Sequence, residues 1–295
     1  MTGTARHRQT VLVPAGILAL SLSGCTTTET ILNNDTQLGA KSDQPGTSYS
    51  PHDGEYNGLD ITVVNALFRD LGLESPHPSG VLSRDRARAL RDKDVDLVAA
   101  TFSITPKRMQ TREKGGEGLD FVGPYASTQQ GFLVRKENDD IRRLVDLNGK
   151  HVCVWAGTTS ANELQSKAYD GISKRTETDA QSCVAALLND EVDAVSTDQL
   201  ILYGFMDRYP SLKVIPQIKF GEPNDYGIAM VKGHRADCEK LREALKRYVN
   251  GPDWDRDVEN NLPRLPKTER DEAHPTAAEI SALSCVDEPA NGSTD

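Results

Sequence analysis

Beyond residue 22 this 295-residue sequence has no apolar run long enough to cross a bilayer, so no later membrane-spanning helix is expected. It also lacks a basic surplus: 34 Lys and Arg stand against 44 Asp and Glu, a formal charge of −10. An acidic surface without a basic stripe excludes nucleic acid as a partner, and a transcription factor with it. No cysteine spacing approaches C-x-x-C and no histidine sits near two cysteines, which argues against zinc; no cofactor is expected. Nor does any motif join a histidine to a serine or cysteine. His151 falls inside a strand-like run, while His52 and His77 occupy polar stretches beside prolines. With no nucleophile–base pair in view, no catalytic residue is assigned and binding without chemistry is the expected activity.

What is present begins at the N-terminus. Arg6 and Arg8 precede an apolar run over residues 11–22, interrupted only by Pro14, Gly16 and Ser21, which is too short to span a bilayer and reads as a signal-peptide core. The run enters Leu22-Ser23-Gly24-Cys25, which resembles the lipobox of bacterial lipoproteins. That resemblance implies a signal peptide over residues 1–24, lipid on Cys25, and a protein anchored at the extracellular face of the cell membrane. An ordinary secretory signal is the alternative, and it too directs export. Residues 25–36 are polar, without hydrophobic periodicity, and are expected to form a flexible tether.

Cysteine usage agrees with export, because Cys153, Cys183, Cys238 and Cys285 make an even number in an oxidising compartment. Four cysteines allow three pairings. Proximity of the expected elements favours Cys153 with Cys183 and Cys238 with Cys285.

Along the chain, strand-like and helix-like segments alternate, the pattern of an α/β fold with a largely parallel sheet. Ile61, Val64, Leu67, Phe68 and Leu71 share one helical face, with Asp60 placed to cap it. Ser83 opens a second helix to about Arg91, and residues 94–102 read as a buried strand. Residues 121–125 and 131–134 suggest two further short strands. A similar set follows: a strand over 151–155, a turn, a helix from Ser160 with a Ser160/Glu163 capping box, a helix over 180–189 and a strand over 192–196. Two lobes of like architecture are expected. Residues 236–248 form an amphipathic helix, whereas 262–295 hold four prolines and little periodicity, with Cys285 stapling that extension back and residues 286–295 a disordered tail.

The stretch most informative about chemistry is Thr101-Phe102-Ser103-Ile104-Thr105-Pro106-Lys107-Arg108, which leaves a strand and enters a helix. Thr105 suits the N-cap and Pro106 the first helical position, so free amides, the Ser103 hydroxyl and the Arg108 guanidinium converge beyond the strand end. A carboxylate fits there; a well-capped helix with a solvated arginine is the plainer alternative. The turn Gly157-Thr158-Thr159-Ser160 offers a matching site in the second half. Asp198 supplies a carboxylate suited to an ammonium group, or else a helix cap.

In order and spacing, several segments resemble the extracellular solute-binding proteins, family 3, that feed polar amino acid ABC transporters, nearest their glutamate/glutamine/aspartate branch. They are residues 39–46 (GAKSDQPG), 56–60 (YNGLD), 95–108 (VDLVAATFSITPKR), 121–125 (FVGPY), 147–150 (LNGK) and 192–198 (VDAVSTD), and the resemblance covers about 37–251. It implies a type II periplasmic-binding-protein fold: two α/β lobes, a ligand cleft and two hinge crossings, near 130–134 and 222–227. Lobe one is then 37–130 plus 227–285, and lobe two 131–226. By the same resemblance Arg108 grips a ligand α-carboxylate with help from Ser103, Thr158 and Thr159, Asp198 receives the α-ammonium, Phe102 walls the cleft, and Lys41 is a candidate for a side-chain carboxylate. A bridge between cysteines placed like Cys153 and Cys183 is frequent in the family. The implied partners are a small amino acid and a membrane permease; a monomer is the default expectation, which the resemblance does not itself supply.

The sequence departs from the family pattern at a glycine-rich insertion over 114–118, expected to be a mobile surface or cleft-edge loop, at Gly58-Leu59-Asp60 where Gly-Phe-Asp is usual, and at Tyr125-Ala126 where tyrosines are paired. These changes leave the amino acid backbone site intact and bear on side-chain specificity. Two other functions fit the same fold: a ligand-sensing lipoprotein reporting to a membrane kinase, and a dehydratase-like enzyme, which would need a general acid or base such as Glu222 or Asp225.

Overall fold

The computed structural model describes residues 1–4 and 29–287. The expected signal core, the Cys25 lipidation site and residues 288–295 of the expected tail lie outside the described residues. Among the described residues no helix is long and apolar enough to cross a membrane.

The chain starts with β1 (Gln37–Ala40), a hairpin of β2 (Asp43–Gln44) and β3 (Ser48–Tyr49), α1 (Leu59–Asp70), β4 (His77–Gly80), α2 (Arg86–Arg91), β5 (Leu97–Val98) and α3 (Pro106–Met109). β4, β1 and β5 form a parallel group, the sheet of lobe one. Strand β6 (Leu119–Arg135) then carries the chain out of that lobe. Lobe two follows with β7 (His151–Trp155), α4 (Thr159–Glu163), β8 (Ser173–Glu177), α5 (Ala180–Leu188), β9 (Ala194–Asp198), α6 (Gln199–Arg208) and β10 (Leu212–Val214). Here β9, β7 and β8 are parallel. The return is β11 (Phe220–Val231), antiparallel to β6 along much of its length. β6 pairs with β9 and β11 with β5, so these two strands belong to both lobes. The chain closes with α7 (Arg235–Asn250), α8 (Asp253–Asn261), α9 (Lys267–Ala273) and α10 (Ala277–Leu283).

The period of two along each strand distributes its side chains between cores. Leu97 and Ala99 enter a core shared by both lobes, whereas Val98 and Ala100 enter one confined to lobe one. In lobe two, Cys153 and Trp155 face the shared core while Val152 and Val154 face a separate one. Helices α1 and α7 cover the shared core with fully buried Leu67, Phe68, Leu241 and Leu245, each contributing about 1.5–3 kcal/mol by burial. Both bridges favoured by element proximity are formed: Cys153–Cys183 ties β7 to α5, and Cys238–Cys285 ties α7 to the end of the chain beyond α10.

Several expectations are corrected. Asp60 does not cap α1; the helix begins two residues earlier, with Gly58 at the cap at a φ of 113°, and the carboxylate turns inward instead. The strands expected over 121–125 and 131–134 are one 17-residue strand, paired with β11 and then β9, and at Gly131 the lack of a side chain admits Gln199. The helix after the second turn is capped by Thr158, whose hydroxyl accepts from the Ala161 amide, and not by Ser160. The tether is shorter than 25–36, because Thr30 and the Ile31 amide bond the Asp237 carboxylate on α7 and Leu32 is buried. The C-terminal extension contains two helices, and beyond them Asp287 still pairs with Lys232 and Arg235, so the ordered chain runs past 285. The 114–118 insertion folds back on α3, with the Glu117 and Gly118 amides bonding the carbonyls of Lys107 and Gln110.

Candidate functional site

Both parallel sheets end their strands toward the same seam between the lobes, the usual place for a ligand in open α/β sheets. At that seam lies a small enclosed space lined by Gln44, Ser83, Arg86, Thr101 and Ser103 from lobe one and by Trp155, Thr158, Thr159, Thr197, Asp198 and Ile201 from lobe two. The centre of a water-sized sphere can move through only about 10 Å³ of it. That is room for one water at most, so an amino acid enters only when the lobes part.

Lobe one supplies the cations. Thr105 caps α3 as expected, its hydroxyl accepting from the Arg108 amide at 3.3 Å. This places the Arg108 guanidinium back over the strand end, donating to the Ser103 carbonyl at 2.6 Å and to the Gly157 carbonyl of lobe two at 3.3 Å. Arg86, on the first turn of α2, donates to the carbonyls of Ser83, Ala100 and Thr101 and also to Gly157 at 2.9 Å. The Phe102 ring holds both guanidinium carbons, at 4.1 Å for Arg86 and 4.5 Å for Arg108. Desolvation is the main cause that lowers both arginine pKa values, to about 9 for Arg86, where the Arg108 charge adds to it, and to about 10 for Arg108. Both remain cations at neutral pH. The Glu117 carboxylate of the insertion partly offsets the effect on Arg108, which puts that loop beside the site.

Lobe two supplies the anion. Asp198 ends β9 and is buried; it accepts from the Asn224 amide at 2.6 Å and the Tyr226 hydroxyl at 2.7 Å, both on the returning strand. It occupies the N-cap position of α6 without capping it, so its charge is held for the cleft. Burial raises its pKa to about 6 against the opposing pull of those two hydrogen bonds. A second buried carboxylate, Asp60, accepts from the Tyr125 hydroxyl and the Thr101 amide and is raised to about 7 by desolvation. It braces the strand end where Thr101 takes a φ of 45°.

Of the residues expected from the sequence, Ser103, Thr158, Thr159 and Asp198 line the space directly, while Arg108 and Phe102 stand immediately behind it. Lys41 does not reach it. Its buried ammonium pairs with Asp43 at 3.1 Å and borders a different cavity at the edge of the seam, and desolvation lowers its pKa. Glu222 is exposed on β11, and Asp225 faces the hinge with Ser127, so neither stands at the cleft as an acid or base. Sequence reasoning missed Arg86, although it shares a buried helical face with Ala89 and Leu90, where a solvated arginine would be out of place.

The lobes are in contact around this space. The Ala180 amide at the start of α5 donates to Asp43 at 2.7 Å, and Gly204 of α6 lies so close to Pro45 that an added Cβ would meet its carbonyl oxygen at 1.8 Å. The arrangement is that of two facing jaws with complementary charges.

Comparison with known proteins agrees. Residues 37–259 match the bacterial extracellular solute-binding proteins, family 3. The glutamate-binding protein GluB of Corynebacterium glutamicum is 33% identical over 237 residues, covering 75% of this chain and 76% of that protein. The ABC transporter glutamine-binding protein GlnH of Bacillus subtilis is 30% identical, covering 70% and 72%. Among solved structures, an ancestral arginine-binding protein bound to arginine superposes with a TM-score of 0.67 at 26% identity, covering 78% of this chain and 99% of its own. These relatives are binding proteins, not enzymes, and their fold is the type II periplasmic-binding fold that the sequence resemblance implies. The chain belongs to the bacterial extracellular solute-binding proteins of family 3.

Proposed function

We propose that this protein captures an acidic amino acid, glutamate or aspartate, at the extracellular face of the cell membrane and delivers it to an ABC-transporter permease. One observation carries the reading: two buried guanidiniums, Arg86 and Arg108, share the Gly157 carbonyl across the seam, and among the residues lining the space Asp198 is the one carboxylate. Two cations and one anion complement a ligand with two carboxylates and one ammonium. Arg108, with Ser103, Thr158 and Thr159, takes the α-carboxylate, Asp198 the ammonium, and Arg86 the side-chain carboxylate in the place the sequence suggested for Lys41. Lobe one comprises 37–130 and 227–285, lobe two 131–226, and the protein works as a monomer tethered through lipid on Cys25. The names of the glutamate- and glutamine-binding relatives support the ligand class.

On binding, the guanidiniums exchange the Gly157 carbonyl for ligand carboxylates. The closed form is favoured only by contacts the ligand makes better there than in the open one. The test is thermal unfolding of the protein with each of a panel of amino acids. A ligand present at about a hundred times its dissociation constant adds about 2.7 kcal/mol of stability. Glutamate or aspartate is expected to raise the midpoint, and Arg108→Ala and Asp198→Ala each to abolish the rise. A panel in which no amino acid moves the midpoint of the folded protein refutes the proposal.

A further inference from the structure

We infer that Trp155 and Ser83 are specificity-determining residues of this cleft: the indole N–H and the hydroxyl, one from each lobe, bind the side-chain carboxylate of the ligand beside Arg86. The inference rests on the amino acid-binding reading and deepens it, by naming the groups that separate a carboxylate from its amide.

Trp155 is fully buried at the end of β7 and lines the enclosed space, yet its Nε1 has no hydrogen-bond partner. An indole N–H is a donor only and has no second way to be satisfied. The other tryptophan shows how this fold treats such a group. Trp254 is equally buried, and its Nε1 donates to the Tyr125 carbonyl at 2.7 Å. Leaving a buried donor unmade carries a free-energy cost, so the exception at Trp155 calls for a reason.

Ser83 supplies the second half of the pattern. It is buried at the start of the turn that leads into α2, its carbonyl accepts from Arg86 Nε at 2.9 Å, and its hydroxyl has no partner. Ser83 and Trp155 line the same space from opposite lobes, together with Arg86. The lining of this space therefore includes a guanidinium, an indole N–H and a hydroxyl, the last two without a partner. Gln44 Oε1, an acceptor on another lining residue, already receives the Thr101 hydroxyl at 2.9 Å.

The guanidinium and the indole N–H can only donate and the hydroxyl can donate as well, so the set suits a group that only accepts. A carboxylate presents two acceptor oxygens, whereas an amide presents one and turns an NH₂ toward donors. Discrimination then comes from the mismatch imposed on the amide as much as from attraction to the acid. Because the two orphaned groups sit on different lobes, both are satisfied together only when the lobes close around the ligand.

The experiment is nitrogen-15 NMR of the two indole N–H groups in the protein, with Trp254 as the internal reference, during titration with L-glutamate and L-glutamine. Binding of each ligand is followed in parallel by calorimetry for the parent, Trp155→Phe and Ser83→Ala. With glutamate the Trp155 indole proton is expected to move downfield and to exchange more slowly, while that of Trp254 stays in place. Trp155→Phe keeps the ring and removes the donor; it is expected to weaken glutamate about ten- to a hundredfold, as for a lost hydrogen bond to a charged group, and glutamine by much less. Ser83→Ala should act in the same direction. If glutamate binds with the Trp155 signal unmoved, or if both variants bind both ligands as the parent does, the inference is overturned and the binding reading survives. If the unaltered protein binds no amino acid, both fall together. Should Trp155→Phe fail to fold, the parent's indole signal and the Ser83→Ala affinities still decide.

Discussion

Asp198 is a carboxylate held by neutral donors, Asn224 and Tyr226, and the proposed function requires it ionised to meet an ammonium group. Burial places its pKa near 6, above the ordinary carboxylate value, so protonation competes with ligand just below neutrality. Affinity is expected to hold from pH 8 to about 7 and then to fall roughly tenfold per unit once pH drops below about 6. Calorimetric titrations at pH 5 and pH 7.5 check this, with Asp198→Asn expected to bind weakly at both. The site was legible from sequence where local rules placed it: Thr105, Pro106 and the residues around them announce a helix start beyond a strand. It was illegible where the decisive contact is distant in the chain. Asp60 reads as a cap because aspartate is common there, yet its partner is the Thr101 amide 41 residues away. Arg86 reads as one of several arginines in a charged helix, and only its burial against Phe102 sets it apart.

At the level of elements, α6 approaches lobe one through a glycine. A Cβ at Gly204 would strike the Pro45 backbone, which has no flexible side chain to yield, although alanine itself favours the helix by about 1 kcal/mol. Gly204→Ala is therefore expected to leave the protein folded but wedged open. Small-angle scattering should give a larger radius of gyration than the parent in saturating glutamate, with affinity at least about tenfold weaker; a parent-like closed profile would show that α6 is not part of the closure contact. Element reading from sequence succeeded for the strands and helices with clean periodicity and failed where breakers were over-weighted. The sequence suggested separate strands over 121–125 and 131–134, but β6 is continuous, paired with β11 between Leu119 and Gln130 and with β9 between Gln130 and Leu133. Prolines in the C-terminal extension suggested irregular chain. In the structure Pro266 and Pro275 stand at helix starts, Pro266 as the cap of α9 and Pro275 next to the Thr276 capping box of α10.

Across the whole molecule, that extension crosses the hinge. Its end is fixed to lobe one by Cys238–Cys285 and by Ser284, whose hydroxyl bonds both the amide and the carbonyl of Gly123. Its middle is joined to lobe two by ion pairs, Lys219 with Glu269 and Glu272, and Asp207 with Arg264, beside the buried Leu265. Replacing Cys238 and Cys285 together with serine is expected to lower stability by about 2–4 kcal/mol in urea unfolding, and to expose residues 262–285 to protease. The alternation of elements made the two-lobed plan visible in the sequence, since each lobe repeats a local strand–helix order. The strap was not visible, because nothing in a list of residues says that Lys219 and Glu272 meet. Its construction also has an environmental consequence. A brace bolted to one jaw and held to the other by part-exposed ion pairs weakens as the ionic strength of the medium rises, with a screening length of about 8 Å at physiological salt and shorter above it. Dissolved salt, as distinct from osmotic pressure, is thus expected to bear on the opening equilibrium, by the modest amount that part-exposed ion pairs carry, with brine favouring the open jaws.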